Sequence, residues 1–243
     1  MRALATPLVA VVAAEQSDAL LFSRNSLGNF GYEYRRVALE ELSSLRPGSV
    51  FETGSAWEMV PAKLYRYEDR ALYLHERFPL VASEHIGTVD LPQLEATGVY
   101  DRHALLERSL YTGNHVVELF VHASGVLAKH HPDHALVFFA VRRAWVVISS
   151  RAKPVMITNF NYDSAQDAVF YLAAYLDHYG MEREACPLVV GGLIGREGQL
   201  LRELSIYFNL TYLDEQLSAG AQGLGCDLLL AYEQARRQEL VGG

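Results

Sequence analysis

Two stretches of the chain share one predicted order of elements: three strands, a helix, a strand and a helix. The three strands of each stretch are short, apolar and separated only by turn residues, which is typical of a β-meander. They are predicted at 8–14, 18–24 and 30–38 in the first stretch, and at 134–141, 144–150 and 154–162 in the second. The two stretches have no visible sequence identity, so the repeated order indicates a duplicated α/β architecture rather than a short-period solenoid.

The elements after each meander complete the order. In the first stretch, LEELSSL (39–45) is predicted to be helical, SVFET to be the fourth strand and EDRALYLHERF to be the second helix. In the second stretch, the strand PLVVGG precedes a helix at 197–206 and a strand-like LTYL. The order β-β-β-α-β-α is therefore predicted twice.

The helix after the second meander has the clearest sequence signals. Asp163 or Ser164 is expected to cap it, the acidic Asp167 suits its first turn, and Gly180 ends it. Its apolar face is predicted to comprise Ala168, Phe170, Tyr171, Leu172, Tyr175 and Leu176.

These patterns divide the chain into four predicted segments. A first lobe is expected at 1–80, with additional α/β material of the same lobe at 81–133, and a second lobe at 134–213. Residues 214–243 are predicted to be a C-terminal helical segment, and its apolar stripe requires it to pack on another element.

Composition narrows the class of protein. Half of the 243 residues are hydrophobic, which is enough for a substantial core, and the longest apolar runs are far shorter than the ~20 residues of a membrane-spanning helix. Net charge is −8, from 21 Lys and Arg against 29 Asp and Glu, and no basic run exceeds two residues. This balance argues against a nucleic-acid surface.

The two cysteines, Cys186 and Cys226, have no C-x-x-C spacing and lie in apolar surroundings, which favours reduced structural thiols in the cytoplasm. The N-terminal residues 1–19 have one arginine and a short apolar run, in outline like a signal peptide. A first strand is the preferred interpretation, because the run pairs well with the alternating segment that follows.

This order resembles the plan of the actin-like ATPase fold, which has three strands, a helix, a strand and a helix, repeated and followed by a crossing helix. Each half of that fold is an elaborated ribonuclease-H-like unit. Three stretches resemble a narrower bacterial group, the domain of unknown function 3822 family: GSAWEMVPAKLYRYEDRALYLHERF (54–78), VELFVHASGVL (117–127), and ITNFNYDSAQDAVFYLAAYLDHYGM (157–181) followed by PLVVGGLI. The resemblance implies a two-lobed α/β protein of actin-like fold with no established activity.

Active proteins of that superfamily hold phosphates with two hairpin turns that carry glycine and aspartate, because close phosphate approach needs uncovered backbone N–H groups and Mg²⁺ needs carboxylates. The first turn here, VAAEQSDALL, has no glycine, and Glu15 and Asp18 are its only carboxylates. The second, FFAVRRAWVV, has Arg142 and Arg143 instead. These arginines could meet a phosphate, although solvated charge is the simpler interpretation.

Gly191 and Gly192 end the strand PLVVGG, where active relatives close over adenosine. A nucleotide contact is one interpretation. The preferred one is that the glycines form the strand-to-helix turn and let the next helix pack close to the sheet. GGLIGREG is not a G-x-G-x-x-G fingerprint.

The densest group of potential metal ligands is His130, His131, Asp133 and His134. A polar loop before a strand is the preferred interpretation, because no second cluster supplies the remaining ligands. We therefore predict no metal site and no catalytic residue.

The function predicted from sequence is a non-catalytic binding or assembly module with degenerate phosphate-binding motifs, no expected cofactor and an unidentified protein partner. The alternative is an ATPase or ATP-dependent phosphotransferase that uses Glu15, Asp18 and Arg142 with Mg-ATP in a cleft between the lobes. A nuclease of the ribonuclease-H type is the third hypothesis, disfavoured because the predicted strands are nearly free of acidic residues.

Overall fold

The structure is a computed structural model that describes residues 9–13, 18–24, 32–38, 49–53, 56–102, 114–140, 142–192 and 198–213. The chain forms two compact units, Met1–Glu118 and Leu119–Gly243. The segment boundaries predicted at residues 80, 133 and 213 stay predictions. The helices predicted at 39–45 and within 214–243 lie outside the described residues.

Thirteen strands and four α-helices are named here in chain order. The strands are β1 (Val9–Ala13), β2 (Asp18–Arg24), β3 (Tyr32–Ala38), β4 (Ser49–Thr53), β5 (Trp57–Pro61), β6 (Ile86–Leu91), β7 (Ala96–Asp101), β8 (Asn114–His115), β9 (His134–Ala140), β10 (Arg143–Ser150), β11 (Lys153–Asn161), β12 (Pro187–Gly192) and β13 (Asn209–Tyr212). The helices are α1 (Arg70–His75), α2 (Val117–Leu127), α3 (Ala165–His178) and α4 (Gln199–Tyr207). None of these described helices is long and apolar enough to cross a membrane.

The first unit contains a five-stranded sheet of order β3-β2-β1-β4-β8. Strands β1, β2 and β3 pair antiparallel, as neighbours in a meander do, whereas β4 pairs parallel with β1 and β8 pairs parallel with β4. The meander and the fourth strand predicted from sequence are confirmed.

A second, three-stranded antiparallel sheet of the first unit has the order β5-β7-β6. Helix α1, which follows a 3₁₀ turn at Tyr67–Asp69, packs against it. Their shared core consists of Ala56, Val60, Leu74, Ile86 and Val99.

The second unit repeats the plan of the first sheet, with the order β11-β10-β9-β12-β13. Strands β9, β10 and β11 pair antiparallel, and β12 pairs parallel with both β9 and β13. Helices α3 and α4 pack against one another and against one face of this sheet. The apolar residues of the two helices and of that face form one core. The duplicated order of strands predicted from sequence is therefore confirmed.

Helix α3 begins at a capping box. The Ser164 hydroxyl accepts from the Asp167 backbone N–H at 3.1 Å, and the Asp167 carboxylate accepts from the Ser164 N–H at 2.9 Å and the Asp163 N–H at 3.0 Å. These donors hold the pKa of Asp167 below its usual value. Ser164 is therefore the cap, as one of the two sequence alternatives predicted.

The predicted apolar face of α3 is wrong at Phe170 and in part at Tyr171, which is 37% exposed. Phe170 is 68% exposed, whereas Ala168, Leu172, Ala173 and Leu176 are buried. Two residues of an α-helix are about 200° of rotation, so Phe170 lies almost opposite Ala168. The prediction was based on the apolar character of the side chain and did not take into account the rotation of about 100° per residue along the helix.

The hairpin turn between β10 and β11 has an unusual backbone. Its two central residues, Arg151 and Ala152, have φ of 52° and 63°, a left-handed conformation that favours Asn and Gly. The loop before β9 holds this turn: the Asp133 carboxylate accepts from the Arg151 N–H at 2.8 Å, and the Pro132 carbonyl accepts from the Ala152 N–H at 2.8 Å. These bonds offset the unfavourable φ values.

Replacing this turn by the residues that its backbone favours should stabilise the protein. We expect Arg151→Asn/Ala152→Gly to raise the free energy of unfolding by about 1 kcal/mol, because both side chains then suit positive φ. Urea denaturation measures the change. In the control variant Ala185→Gly, where φ is ordinary, the same loss of a Cβ should lower stability; a loss of stability in the turn variant would contradict the expectation.

Candidate functional site

The glycines and arginines singled out in the sequence lie at one end of the sheet of the second unit. The parallel pairing of β12 with β9 places Gly191 beside Phe138 and Gly192 beside Phe139. Strand β9 then ends, Arg142 forms the hairpin turn and Arg143 begins β10. Ligands of open α/β sheets bind beyond the carboxyl ends of parallel strands, so this end of β9 and β12 is the candidate site.

The two arginines have polar neighbours from β11 and the segment after it. The Arg142 side chain is 79% exposed, and its Nε lies 3.7 Å from Oδ1 of Asp163, which is 83% exposed. Nε of Arg143 donates to Oδ1 of Asn161 at 3.1 Å. An ion pair this exposed contributes little to stability, so Arg142 can exchange Asp163 for another anion at low cost.

Arg142 has φ of 59°, in the left-handed region. A glycine would adopt this backbone without strain and would leave the N–H groups of the turn uncovered. The arginine instead has a Cβ and a long side chain, which leave less room than glycine for a phosphate at the backbone of the turn.

Gly192 is required by the contact between two strands. Its φ is +111°, and a Cβ at this position would lie 2.2 Å from the carbonyl oxygen and 2.7 Å from the nitrogen of Phe139. Backbone atoms of a central strand cannot move aside as a flexible side chain can. Packing therefore accounts for this glycine without a ligand.

The structure describes only one of the two carboxylates considered as Mg²⁺ ligands. Asp18 is the first residue of β2 in the first unit, and Glu15 lies outside the described residues. Residues 193–197, which follow Gly192, also lie outside them.

The histidine group before β9 does not converge. His130 and Asp133 are exposed, whereas His134 is fully buried as the first residue of β9. Asp133 accepts hydrogen bonds from the Arg151 N–H and, at 3.1 Å, from the Ser150 hydroxyl, and these hold the pKa of Asp133 below its usual value. In the described part of the chain, no three His, Cys, Asp or Glu side chains are grouped so that they could hold a metal ion.

His134 belongs instead to a buried polar network that sequence analysis missed. Its Nδ1 donates to the His131 carbonyl at 2.7 Å, so Nε2 accepts from the Ser124 hydroxyl at 3.0 Å. Ser124 in turn accepts from the Ser149 hydroxyl at 2.6 Å. The three side chains are fully buried, which denies a substrate access to the Ser124–His134 pair and makes the network a link between α2 and the sheet.

A second buried histidine lies in the first unit. The His115 ring centroid is 4.8 Å from that of Trp57 and 4.2 Å from that of Tyr100, and Nδ1 accepts from the Val117 N–H at 3.2 Å. Burial lowers the pKa of His115 to about 3, and burial likewise lowers the pKa of His134. Both histidines are therefore neutral in the folded protein at physiological pH.

The thiol of Cys186 is buried beside Met181, with 3.8 Å between the two sulfur atoms. Burial raises the pKa of Cys186 to about 11. The thiol is therefore protonated and unreactive, as expected of a structural cysteine. Cys226 lies outside the described residues.

The buried histidines should make the protein less stable in mild acid. The unfolded chain gains a proton near pH 6.5 that the folded chain cannot accept at His115 until about pH 3, so stability falls as pH decreases through this window. For His115 alone we expect a loss of about 2 kcal/mol between pH 6.5 and 5. Urea denaturation followed by tryptophan fluorescence measures the free energy of unfolding at each pH. The variant His115→Phe keeps the ring stacking and should reduce the pH dependence of stability. An unchanged dependence of stability on pH in this variant would refute the expectation.

The steric role of Gly192 can be separated from its conformational role. Gly192→Ala should lower the free energy of unfolding by about 3 kcal/mol or more, because the new Cβ adds a clash with Phe139 to an unfavourable φ. Gly180 is the matched control: its φ is +66°, and a Cβ there meets nothing within 4 Å. Gly180→Ala should cost only about 1 kcal/mol, and equal losses for the two variants would show that the clash is relieved.

Solved structures with little sequence identity share this fold. A Bacteroides thetaiotaomicron VPI-5482 protein with an actin-like ATPase fold and unknown function superposes with a TM-score of 0.68 at 10% identity, covering 93% of this chain and 96% of that chain. A chain of the PilM-PilN type IV pilus biogenesis complex superposes with a TM-score of 0.53 at 14% identity, covering 98% and 99%. By sequence, no curated protein matches this chain significantly.

The fold is therefore that of the actin-like ATPases, with two sheets of identical strand order. A family model described as "Protein of unknown function (DUF3822)" matches residues 50–210, which is most of the chain and includes the candidate site. The chain belongs to the DUF3822 family of proteins of unknown function.

Proposed function

We propose that the protein is a cytoplasmic, non-catalytic binding or assembly module whose actin-like fold has lost phosphate chemistry. The contact of Gly192 with the backbone of Phe139 carries this proposal. The strand pairing is sufficient to require a glycine at this position, whether or not a ligand binds. The remaining glycine motif therefore gives no independent support for nucleotide binding.

The hairpin turn beside the glycines supports the same conclusion. A phosphate-binding turn needs uncovered backbone N–H groups and a carboxylate. This turn instead has Arg142 at positive φ and Arg143, which is hydrogen-bonded to Asn161. The Asp163 carboxylate lies beside this turn, with its Oδ1 3.7 Å from Nε of Arg142. Because an ion pair this exposed is weak, the support for the proposal comes from the two arginines at the turn and not from Asp163.

A protein partner is the expected ligand of such a module. One solved chain of the same fold is part of the PilM-PilN complex, in which two different proteins associate. The likeness of the two chains extends to the fold alone, so the identity of a partner here stays open to experiment.

The alternative is an ATPase or phosphotransferase that uses Arg142 together with Glu15 and Asp18. The observation in its favour is the exposure of Arg142 at the carboxyl end of β9, where a phosphate would bind. The two functions differ in one measurable property, the affinity for Mg-ATP.

Mg-ATP should leave the melting temperature unchanged. A ligand with a Kd of about 10 µM, present at about 1 mM, would stabilise the folded state by about 2.7 kcal/mol, which corresponds to a shift of about 5–10 °C for a chain of this size. Differential scanning fluorimetry with Mg-ATP and with Mg²⁺ alone measures the shift. A shift of several degrees that needs the nucleotide would overturn the proposal.

The matched variant for this measurement is Arg142→Ala, not a substitution at Gly192. Gly192→Ala would change stability through the Phe139 contact and would confound the assay. Arg142 is exposed, so its removal leaves the core unchanged. If wild-type protein shifts and Arg142→Ala does not, the phosphotransferase alternative replaces the module.

A further inference from the structure

The side-chain amide of Asn159 on β11 has a buried nitrogen that donates to no other group. Nδ2 is buried from solvent, and within the described part of the chain no acceptor lies in hydrogen-bonding distance of it. A buried N–H group without an acceptor lowers stability, because it has lost its hydrogen bonds to water and gained none in return. Such groups are rare in folded proteins, so each one requires an explanation. A ligand that supplies the acceptor provides one.

The face of the sheet on which Asn159 lies follows from the pairing of β11. Strand β11 pairs regularly with β10 over residues 156–161, so its side chains alternate between the two faces there. Phe160 belongs to the core that α3 and α4 share with the sheet. Asn159 and Asn161, with Arg143 opposite Asn161 on β10, therefore lie together on the other face.

Asn159, Asn161 and Arg143 form a group of hydrogen-bond donors, which we call the Asn159 cluster. Nε of Arg143 donates to Oδ1 of Asn161 at 3.1 Å, which orients the Asn161 amide and leaves its N–H groups for another acceptor. The cluster offers amide N–H groups and one positive charge, and none of its three side chains is acidic. Its chemistry therefore suits a ligand that accepts hydrogen bonds and carries negative charge.

The neighbours of Asn159 on this face are apolar. Trp145 is paired with Asn159 across the strands and is 2% exposed, and its ring centroid lies 5.9 Å from that of Phe120 on α2. Phe138 pairs with Trp145 from β9, and its ring centroid lies 5.4 Å from that of Phe120. Hydrogen bonds beside such an apolar surface are stronger than in water, because the local dielectric constant is lower.

We propose that the Asn159 cluster binds the carboxylate of an acidic side chain of a protein partner. The carboxylate oxygens accept from the amide N–H groups of Asn159 and Asn161, and Arg143 supplies the opposite charge. The donor that has no acceptor in the free protein is then satisfied in the complex. This inference rests on the function proposed above, because it names the chemistry by which a non-catalytic module recognises its partner.

The charge at this end of the sheet favours a carboxylate over a phosphate. Two arginines, Arg142 and Arg143, and one aspartate, Asp163, give it a net charge of one positive unit. A carboxylate has one negative charge, whereas a phosphate has about −1.5 to −2 at neutral pH. The net charge of −8 on the whole chain adds repulsion that is greater for the more highly charged anion.

The side-chain amide signals of Asn159 and Asn161 in two-dimensional nitrogen–proton NMR spectra of the full chain report on binding directly. The probe is the peptide acetyl-Gly-Glu-Gly-amide at about 10 mM, a concentration suited to a contact of a few kcal/mol, and acetyl-Gly-Gln-Gly-amide is its uncharged match. We expect the glutamate peptide to shift both signals and the glutamine peptide to leave them unchanged. Equal shifts with the two peptides would overturn the proposal, because the charge of the ligand would then be irrelevant.

A substitution of Asn159 tests its role as a donor. With the Asn161 signal as the readout, Asn159→Val should weaken binding of the glutamate peptide by about tenfold or more. Asn209→Val is the matched control, because Asn209 is exposed at the start of β13, opposite the first residue of β12 and so at the other end of the sheet. The control should bind as the wild type does, and equal binding by Asn159→Val would contradict the proposal.

The stability of the same variant separates a binding role from a structural one. Asn159→Val should raise the melting temperature by about 2–4 °C, because valine suits a strand and leaves no buried donor without an acceptor. Differential scanning fluorimetry measures the change. A fall in the melting temperature would show that water or the protein already supplies the acceptor, and the proposal would be wrong.

Inorganic phosphate and Mg-ATP separate this inference from the function on which it rests. If these ligands and the glutamate peptide all leave the two amide signals unchanged, the carboxylate site is wrong and the non-catalytic module stands. If phosphate or Mg-ATP shifts the signals and the glutamate peptide does not, both the carboxylate site and the proposed function are wrong.

Discussion

The parallel pairing of β9 with β12 is the contact on which the second unit depends. It joins the meander of β9, β10 and β11 to the later half of the unit, and it brings α3 and α4 onto one face of the sheet. The pairing continues to the last residue of β12, and the backbones approach so closely there that only glycine fits at position 192. This central pair determines the positions of the core, of the candidate site and of the outer strand β11.

Much of this arrangement could be predicted from the sequence, because the signals for it are local. The strands of both meanders have continuous apolar runs between turn residues, and the start of α3 has a cap and an acidic first turn. The shared order of the two sheets then follows from the rule that short connections pair antiparallel and crossovers pair parallel. Phe170 was assigned wrongly because its apolar character outweighed its position on the helix.

The candidate site was less predictable, because its meaning depends on distances across the fold. That Gly191, Gly192, Arg142 and Arg143 share one end of a sheet follows from the order of strands. The close contact of Gly192 with the backbone of Phe139 could not be predicted in this way, since the two residues are far apart in the chain. The same holds for the Ser124–His134–Ser149 network, whose members belong to a helix and two strands. In the sequence, His134 was assigned to a polar loop, and nothing indicated that the two serines would contact it.

The contact between Gly192 and Phe139 also has a consequence for how such a site would decay over evolutionary time. A residue held by the packing of a strand is retained by selection for folding, whatever happens to the ligand, whereas a solvent-facing turn residue such as Arg142 is under no such restraint. In any lineage that loses nucleotide binding, the turns would therefore change first and the glycines last. Surveys that assign ATP binding by glycine motifs alone would count such descendants as active long after their chemistry had disappeared.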